Sequence, residues 1–313
     1  MHTFYCNLCL FLIILLLPAS IYGQGCSDAG FCSMGAMKPD QQFSKKLKVR
    51  LRSIEISQYV GRTKFEAYVY ATNLDINVGL NEKTTLQFKV PYMYTTGSEG
   101  WHLDGVGDIS LSLTRNLINR ENFQLNATLG AKIPTNSSNE LFNGLPLPMY
   151  YQTSLGTYDL ILGLSLITRK WLFAFGYQEP LNANENQFTH SAWADHPRAE
   201  DAQIYPQSPL LRRSSDIMFR VERNFRFSRF SFNIGLLPIY RFKNDRVTFP
   251  NEEEIRTTGS NGLALSLLFG AAYRFSVKSQ VKLLFGDRLF ERQYNPDGLS
   301  REQVFSAGYV FSF

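Results

Sequence analysis

The chain has 313 residues, of which 44% are hydrophobic, 14% aromatic and 19% charged, and its formal net charge is +5. Beyond the N-terminal residues no run of about 18 continuous apolar residues occurs, which excludes a membrane-spanning helix there. The weak positive charge is spread along the chain instead of being clustered among aromatic residues, so no nucleic acid partner is expected.

The N-terminus predicts a secretory signal peptide over residues 1–23. Residues 8–17 form an almost unbroken apolar run that is too short to span a bilayer, and Pro18 and a small-residue exit at Gly23 follow it. No Lys or Arg precedes the apolar run, so an uncleaved anchor is the alternative.

Two cysteines, Cys26 and Cys32, remain after cleavage and lie in a stretch rich in Gly and Ser. In an oxidising periplasm a local disulfide between them is expected. A soft-metal site formed with Met34 and Met37, for example for Cu(I), is the less favoured alternative, and no cofactor is expected.

Alternation of apolar and polar residues predicts strands along the rest of the chain. It is clearest at residues 123–132, where every second residue is apolar or small. We predict twelve strands, at about residues 46–57, 64–80, 84–95, 106–117, 122–133, 156–167, 171–181, 213–223, 227–242, 261–275, 279–291 and 301–313.

The predicted connections alternate between short and long, and the last strand ends on an aromatic residue, Phe313. Bacterial outer-membrane barrels have short periplasmic turns, longer external loops and an even strand number. We therefore predict an all-β fold, a transmembrane antiparallel β-barrel over residues 46–313 in the bacterial outer membrane. Its partners would be membrane lipid and the barrel-assembly machinery, which would recognise the terminal Phe313.

Three positions interrupt the pattern. The second strand changes phase, which predicts a bulge near Thr72. Pro91 and Pro238 lie inside predicted strands, where each lacks a backbone donor. A bulge at the barrel rim is the favoured interpretation of the two prolines, and a lateral gate is the alternative.

Alternation also predicts which side chains line the lumen. The bases outnumber the acids, which favours anionic or amphiphilic solutes. The alternative is that most of these charges pair across strands and fill a narrow barrel. The candidates are Lys48, Arg50, Arg52, Glu66, Asp75, Lys89, Asp108, Asn126, Thr128, Lys132, Asp159, Asp216, Arg220, Arg229, Arg274 and Arg288, with Glu222, Arg241 and Lys282 on the same faces.

The longest irregular stretch, residues 182–212, contains His190, Asp195 and His196. Their spacing matches no defined metal-ligand motif, so a solvated loop or an inward-folded lid is favoured over a metal site. No glycine-flanked nucleophile motif is present, which argues against an enzyme.

Three segments carry a resemblance to a known family: "GVGDISLSLTRNL" at 105–117, "LGAKIPTN" at 129–136 and "SLGTYDLILGLSLITRKWLFAFGYQEPL" at 154–181. They resemble the outer-membrane channels of the phenol-degradation meta-pathway family, relatives of the long-chain fatty-acid transporter. The resemblance implies passive uptake of small, poorly soluble and often aromatic molecules through a barrel obstructed by an N-terminal segment. Residues 24–45 would be that plug, although they are short for one and the Cys pair departs from the family.

The sequence thus predicts an outer-membrane channel for passive uptake of small hydrophobic, aromatic or amphiphilic solutes, anionic ones included. A closed structural or receptor barrel is the alternative. An outer-membrane lipase or protease is a weaker one.

Overall fold

Twelve antiparallel strands form a closed wall in the computed structural model, which describes residues 34–38 and 50–313. The strands are β1 (Arg50–Arg62), β2 (Tyr68–Gly79), β3 (Thr84–Thr96), β4 (His102–Val106), β5 (Ile109–Asn119), β6 (Phe123–Ile133), β7 (Leu141–Phe142), β8 (Leu145–Pro146), β9 (Asp159–Thr168), β10 (Trp171–Pro180), β11 (Asp216–Arg226), β12 (Phe230–Arg241), β13 (Arg246–Thr248), β14 (Glu254–Arg256), β15 (Gly262–Arg274), β16 (Ser279–Phe290) and β17 (Gln303–Ser312).

Around the wall the order is β1, β2, β3, β5, β6, β9, β10, β11, β12, β15, β16 and β17, and β17 pairs back to β1. The predicted twelve-stranded barrel is confirmed. The hairpins β7–β8 and β13–β14 lie in long connections. The helices are one-turn 3-10 helices at Gly35–Met37 and Ser191–Trp193 and a short α-helix, α1, at Ala199–Gln203. None of these helices is long and apolar enough to cross a bilayer.

The connections divide the barrel into two ends. Short turns of two to four residues, at 80–83, 120–122, 169–170, 227–229 and 275–278, define one end. The longer connections, of five residues or more, define the other end, at 63–67, 97–101, 134–158, 181–215, 242–261 and 291–302. By the convention of bacterial barrels, the long connections are external, so β1 begins and β17 ends at the periplasmic end.

The two faces of each strand differ as a membrane requires. On β9, Leu160, Leu162 and Leu164 are exposed, whereas Ile161 and Ser165 are buried. The same pattern gives the outer surface a continuous cover of Leu, Phe, Tyr and Trp side chains. A closed barrel with this apolar exterior belongs in the bacterial outer membrane.

The predicted bulge near Thr72 is wrong. Pairing of β2 with β1 and β3 runs without a shift from Tyr68 to Asn77. The apparent change of phase arose because Val69 and Ala71 are apolar residues that face inward and are buried in an apolar cluster, while Tyr68 and Tyr70 are exposed on the outer face. Phe65 lies in the turn before β2 and packs on buried aromatic residues of the external loops. The register shifts instead between Leu51 and Ser53.

A break in the wall occurs beside Pro91. On the periplasmic side of Pro91, β3 pairs with β5, and on the external side it pairs with β4. Gly107 and Asp108 separate β4 from β5. Within the described chain, β4 pairs with β3 alone. The predicted fourth strand, at 106–117, corresponds to β5, and β4 is an additional short strand. Pro238 has a milder effect, because β12 pairs continuously with β15 and loses only part of its ladder to β11.

The outward orientation of β9 can be tested by charge. Leu164→Arg places a guanidinium on the lipid side near mid-strand, where such a charge costs about 2–4 kcal/mol. Tyr158→Arg, on the same face at the external end, should cost about 1 kcal/mol or less. Urea unfolding in phospholipid vesicles measures both, and equal costs would contradict the assigned lipid-facing surface.

Candidate functional site: a closed lumen

Most of the predicted lumen residues point into the barrel. In the wall, outward side chains are exposed and inward ones are buried. The buried candidates are Asp75, Lys89, Asp108, Asn126, Thr128, Lys132, Asp159, Asp216, Arg220 and Arg288. Arg52 is half-buried and hydrogen-bonds to the carbonyl of Asn81 and the hydroxyl of Thr85.

Three candidates are exposed. Glu66 is exposed in the turn between β1 and β2, Arg229 is exposed in the turn between β11 and β12, and Arg274 is exposed as the last residue of β15. For Glu66 and Arg229 the alternation was extended past the true strand ends, so these two lumen assignments are wrong. Arg274 lies within β15 on the same face as the buried Ala272, and it is exposed at the periplasmic end of the barrel. Arg50 is the first residue of β1. Lys48, Cys26 and Cys32 lie outside the described residues, as does the predicted signal peptide.

Arg241 is the centre of a buried ion-pair network near the external mouth. Its guanidinium lies 2.7 Å from Asp216, 2.7 Å from Asp245 and 2.9 Å from Asp297. Arg292 approaches Asp216 and Asp297 at 3.6 and 3.7 Å. Burial by itself raises the pKa of Asp297, but attraction to Arg241 and Arg292 outweighs it and holds this pKa well below its usual range. The network joins the wall to two external loops.

Two further buried pairs continue this belt of charge. Arg213 donates to Asp159 at 2.6 Å, and Lys132 lies 3.3 Å from Asp108. Asp108 also accepts from the Ser154 hydroxyl, which fixes the loop after β8 to the break in the wall. Most of the buried charges are therefore paired across strands or to loops.

Sequence reasoning missed the loop members of the belt, namely Arg213, Asp245, Arg292 and Asp297. These residues lie in irregular connections, where alternation gives no sign of which side chains turn inward. Their only signal was that charged residues flank strands whose inward faces carry the opposite charge.

The external loops close over the belt with a fully buried aromatic cluster, formed by Trp101, Tyr150, Tyr151, Phe188, Trp193 and Tyr205. The hydroxyls of Tyr151 and Tyr205 both donate to the buried carboxylate of Glu99. Burial raises the pKa of each phenol, so both remain protonated donors at neutral pH. The predicted inward-folding lid at residues 182–212 supplies Phe188, Trp193 and Tyr205.

Residues 34–38 lie inside the barrel against β5, β6, β9 and β10. The Gly35 N–H donates to Gln87 at 2.7 Å, and the Ala36 N–H donates to the Thr128 hydroxyl at 2.8 Å. Lys38 forms ion pairs with Glu55 at 2.9 Å and Asp75 at 3.1 Å. The segment is thus bound to several strands through polar contacts.

The wall has space for the two methionines of this segment. A Cβ at Gly130 would lie 3.0 Å from the Met34 methyl group, and a Cβ at Gly163 would lie 3.0 Å from the Met37 methyl group. Glycine at these two inward positions lets the methionines pack against the strand backbone. Both methionines belong to an apolar cluster with Met218 of β11.

The loop histidines form no metal site or catalytic pair. The His190 ring hydrogen-bonds to the carbonyl of Tyr205, and His196 accepts from the N–H of Arg198. Within residues 34–38 and 50–313, no group of three or more His, Cys, Asp or Glu side chains is placed to hold a metal ion.

The belt should stabilise the barrel through Arg241. Arg241→Met leaves Asp216, Asp245 and Asp297 without their main cation, and we expect a loss of about 3–5 kcal/mol in the free energy of unfolding. The control is Arg246→Met, which breaks an exposed pair with Glu254 and should cost about 1 kcal/mol or less. Denaturant unfolding in vesicles compares the two, and a similar small loss for both would show that the belt is energetically neutral.

No protein-family model matches the sequence, and no curated protein matches it. Solved structures do match. An outer-membrane channel from Pseudomonas putida F1 aligns over 87% of this chain and 99% of its own, with 15% identity and a TM-score of 0.57. The NanC porin (12% identity, 83% and 100% coverage, TM-score 0.45) and the CymD monoaromatic hydrocarbon channel (12%, 94% and 94%, 0.42) are more distant. The chain therefore has the β-barrel fold of the Pseudomonas channel.

Proposed function

We propose that the protein is a passive outer-membrane channel for small hydrophobic, aromatic or amphiphilic solutes, anionic ones included, and that residues 24–45 form its plug. The observation that carries the proposal is the contact set of residues 34–38. These residues lie in the lumen, where they pack on two glycines of the wall and make a few polar contacts. Such an obstruction can leave the lumen without unfolding of the wall.

The ion pairs of Lys38 would act as the latch of the plug. Lys38 spans to Glu55 on β1 and Asp75 on β2, whereas Met34 and Met37 contact β6 and β9. Loss of the Lys38 contacts would free one end of the segment while its apolar end stays in place. Such a hinge-like release suits a gate better than a permanent filling.

A sealed structural or receptor barrel is the second candidate. The buried belt around Arg241 and the aromatic cluster of the loops favour it, because both fill the external mouth. A lipase or protease has less support, since His190 and His196 hydrogen-bond to backbone groups.

The remaining expectations are part of the same proposal. Phe313 follows the last strand with its ring exposed and packed edge-on against Phe311, which suits recognition of the C-terminus by the barrel-assembly machinery. Cleavage after residue 23 would make Gln24 the first residue of the plug. A disulfide between Cys26 and Cys32 would constrain a loop within it.

Plug removal is the direct test. Deleting residues 24–45 should raise the single-channel conductance of the mature protein in planar bilayers, because residues 34–38 lie in the lumen. Lys38→Met keeps the segment but removes its ammonium group. We expect this variant to open more often than the wild type and to keep the wild-type conductance in its closed state.

Addition of benzoate or a fatty acid should then reduce the conductance of the deleted form if these solutes enter the lumen. Lys278→Gln, in an exposed periplasmic turn, serves as the control and should behave as the wild type. Silence of both the full-length and the deleted protein would favour the sealed barrel.

A further inference from the structure

Arg223 places a guanidinium on the lipid-facing surface of the wall. Its neighbours along β11, Glu222 and Asn224, point inward and are buried, so Arg223 itself points toward lipid. Its register partners, Trp171 on β10 and Ile234 on β12, are exposed on the same outer surface. A charge in this position is costly unless the side chain reaches the polar headgroup region of the membrane.

The position of Arg223 along the strand allows this reach. β11 ends at Arg226, so Arg223 lies within about 10 Å of the periplasmic end of the strand. Its guanidinium carbon lies 5.0 Å from the ring centre of Trp171 and 5.5 Å from that of Phe225. Tryptophan on the outer surface of a barrel is typical of the membrane interface. The guanidinium is therefore held by aromatic rings at the level of the lipid headgroups.

The chain supplies no counter-charge for this guanidinium. Within the described residues, Arg223 contacts the two rings and forms no ion pair. Residues 160–178 and 223–244, which include β10 and β12, contain no Asp or Glu. Glu222 points inward, and Glu121 lies one hairpin away, in the turn between β5 and β6. A cation–π contact orients a guanidinium without neutralising it, so an anion from outside the chain fits here.

Two short periplasmic turns add positive charge beside Arg223. Arg169 and Lys170 form the turn between β9 and β10, and both are exposed. The Asn224 N–H donates to the Lys170 carbonyl at 2.7 Å, which fixes this turn next to Arg223 on β11. Arg229 is exposed in the turn between β11 and β12. Basic residues gathered at a membrane surface attract anionic lipid headgroups.

We infer that Arg169, Lys170, Trp171 and Arg223 form a binding site for an anionic phospholipid of the periplasmic leaflet. The phosphate would accept from the Arg223 guanidinium, which suits the fork of donors that arginine presents, and would pair with the Lys170 ammonium. An acyl chain would lie along the stacked rings of Trp171 and Phe173, whose centres are 6.0 Å apart. The site faces lipid, so it is independent of the proposed conduction through the lumen.

Trp171 reports on this site by its fluorescence. The sequence has three tryptophans, and Trp101 and Trp193 are fully buried among the external loops, whereas Trp171 is 39% exposed. Brominated acyl chains quench a tryptophan that they touch. The mature, full-length protein is reconstituted in phosphatidylcholine vesicles with a minor fraction of either brominated phosphatidylglycerol or brominated phosphatidylcholine. We expect phosphatidylglycerol to bind beside Trp171 at least about threefold more tightly than phosphatidylcholine.

Variants assign the preference to residues. Arg223→Gln should abolish most of it, and Lys170→Gln should reduce it. Arg223→Lys should retain part of it, because the charge remains while the paired donors are lost. The control is Arg256→Gln, on the exposed β14 at the opposite end of the barrel, which should keep the wild-type preference. Added salt should weaken the preference of the wild type, since the attraction is between charges near water.

Equal quenching by the two brominated lipids in the wild type would overturn the inference before any variant is made. A preference for phosphatidylglycerol that persists unchanged in a folded Arg223→Gln protein would also overturn it, because the anionic lipid would then bind elsewhere around the barrel. The measurement does not depend on conduction, so a barrel that never conducts can still confirm the site.

Discussion

The hydrocarbon core of a membrane offers no partners to backbone N–H and C=O groups, and the rest of this structure depends on that constraint. Each wall strand must pair on both sides, so β17 returns to β1 and the sheet closes. Closure creates an inside and an outside, and every second residue is then assigned to lipid or to lumen. The break beside Pro91 is compatible with the constraint because loop residues satisfy part of the freed backbone: the Gly107 N–H donates to the Pro91 carbonyl, and the Gly107 carbonyl accepts from Thr135.

The sequence allowed the strands of the wall to be predicted, but not the arrangement of the external loops, and the reasons are physical. A strand residue such as Thr128 has its direction set by a period of two, so its inward position could be predicted without any knowledge of its neighbours. Glu66 and Arg229 show where that rule stops, because a turn of a few residues reverses the chain without changing the apparent pattern. Asp245 and Asp297 were beyond prediction, since a loop carboxylate is drawn inward only by a guanidinium such as Arg241 that the fold brings to it.

The inside of this barrel resembles a protein interior more than a water-filled pore. Charges are paired in the belt, aromatic rings are packed in the loops, and the segment at residues 34–38 fills part of what remains. Each of these closures uses a different interaction, respectively ion pairing, apolar packing and glycine-assisted docking. Under the proposed channel function, a passing solute must displace at least one of these closures.

Gly130 and Gly163 tie the evolution of the wall to that of the N-terminal segment. Neither glycine is required by a turn or by the closure of the barrel, and each packs against one methionine of the segment. A larger residue at either position would require the methionine at position 34 or 37 to shift or to be replaced by a smaller residue. Among related chains, these four positions should therefore vary in concert, although a hundred residues separate them in the sequence.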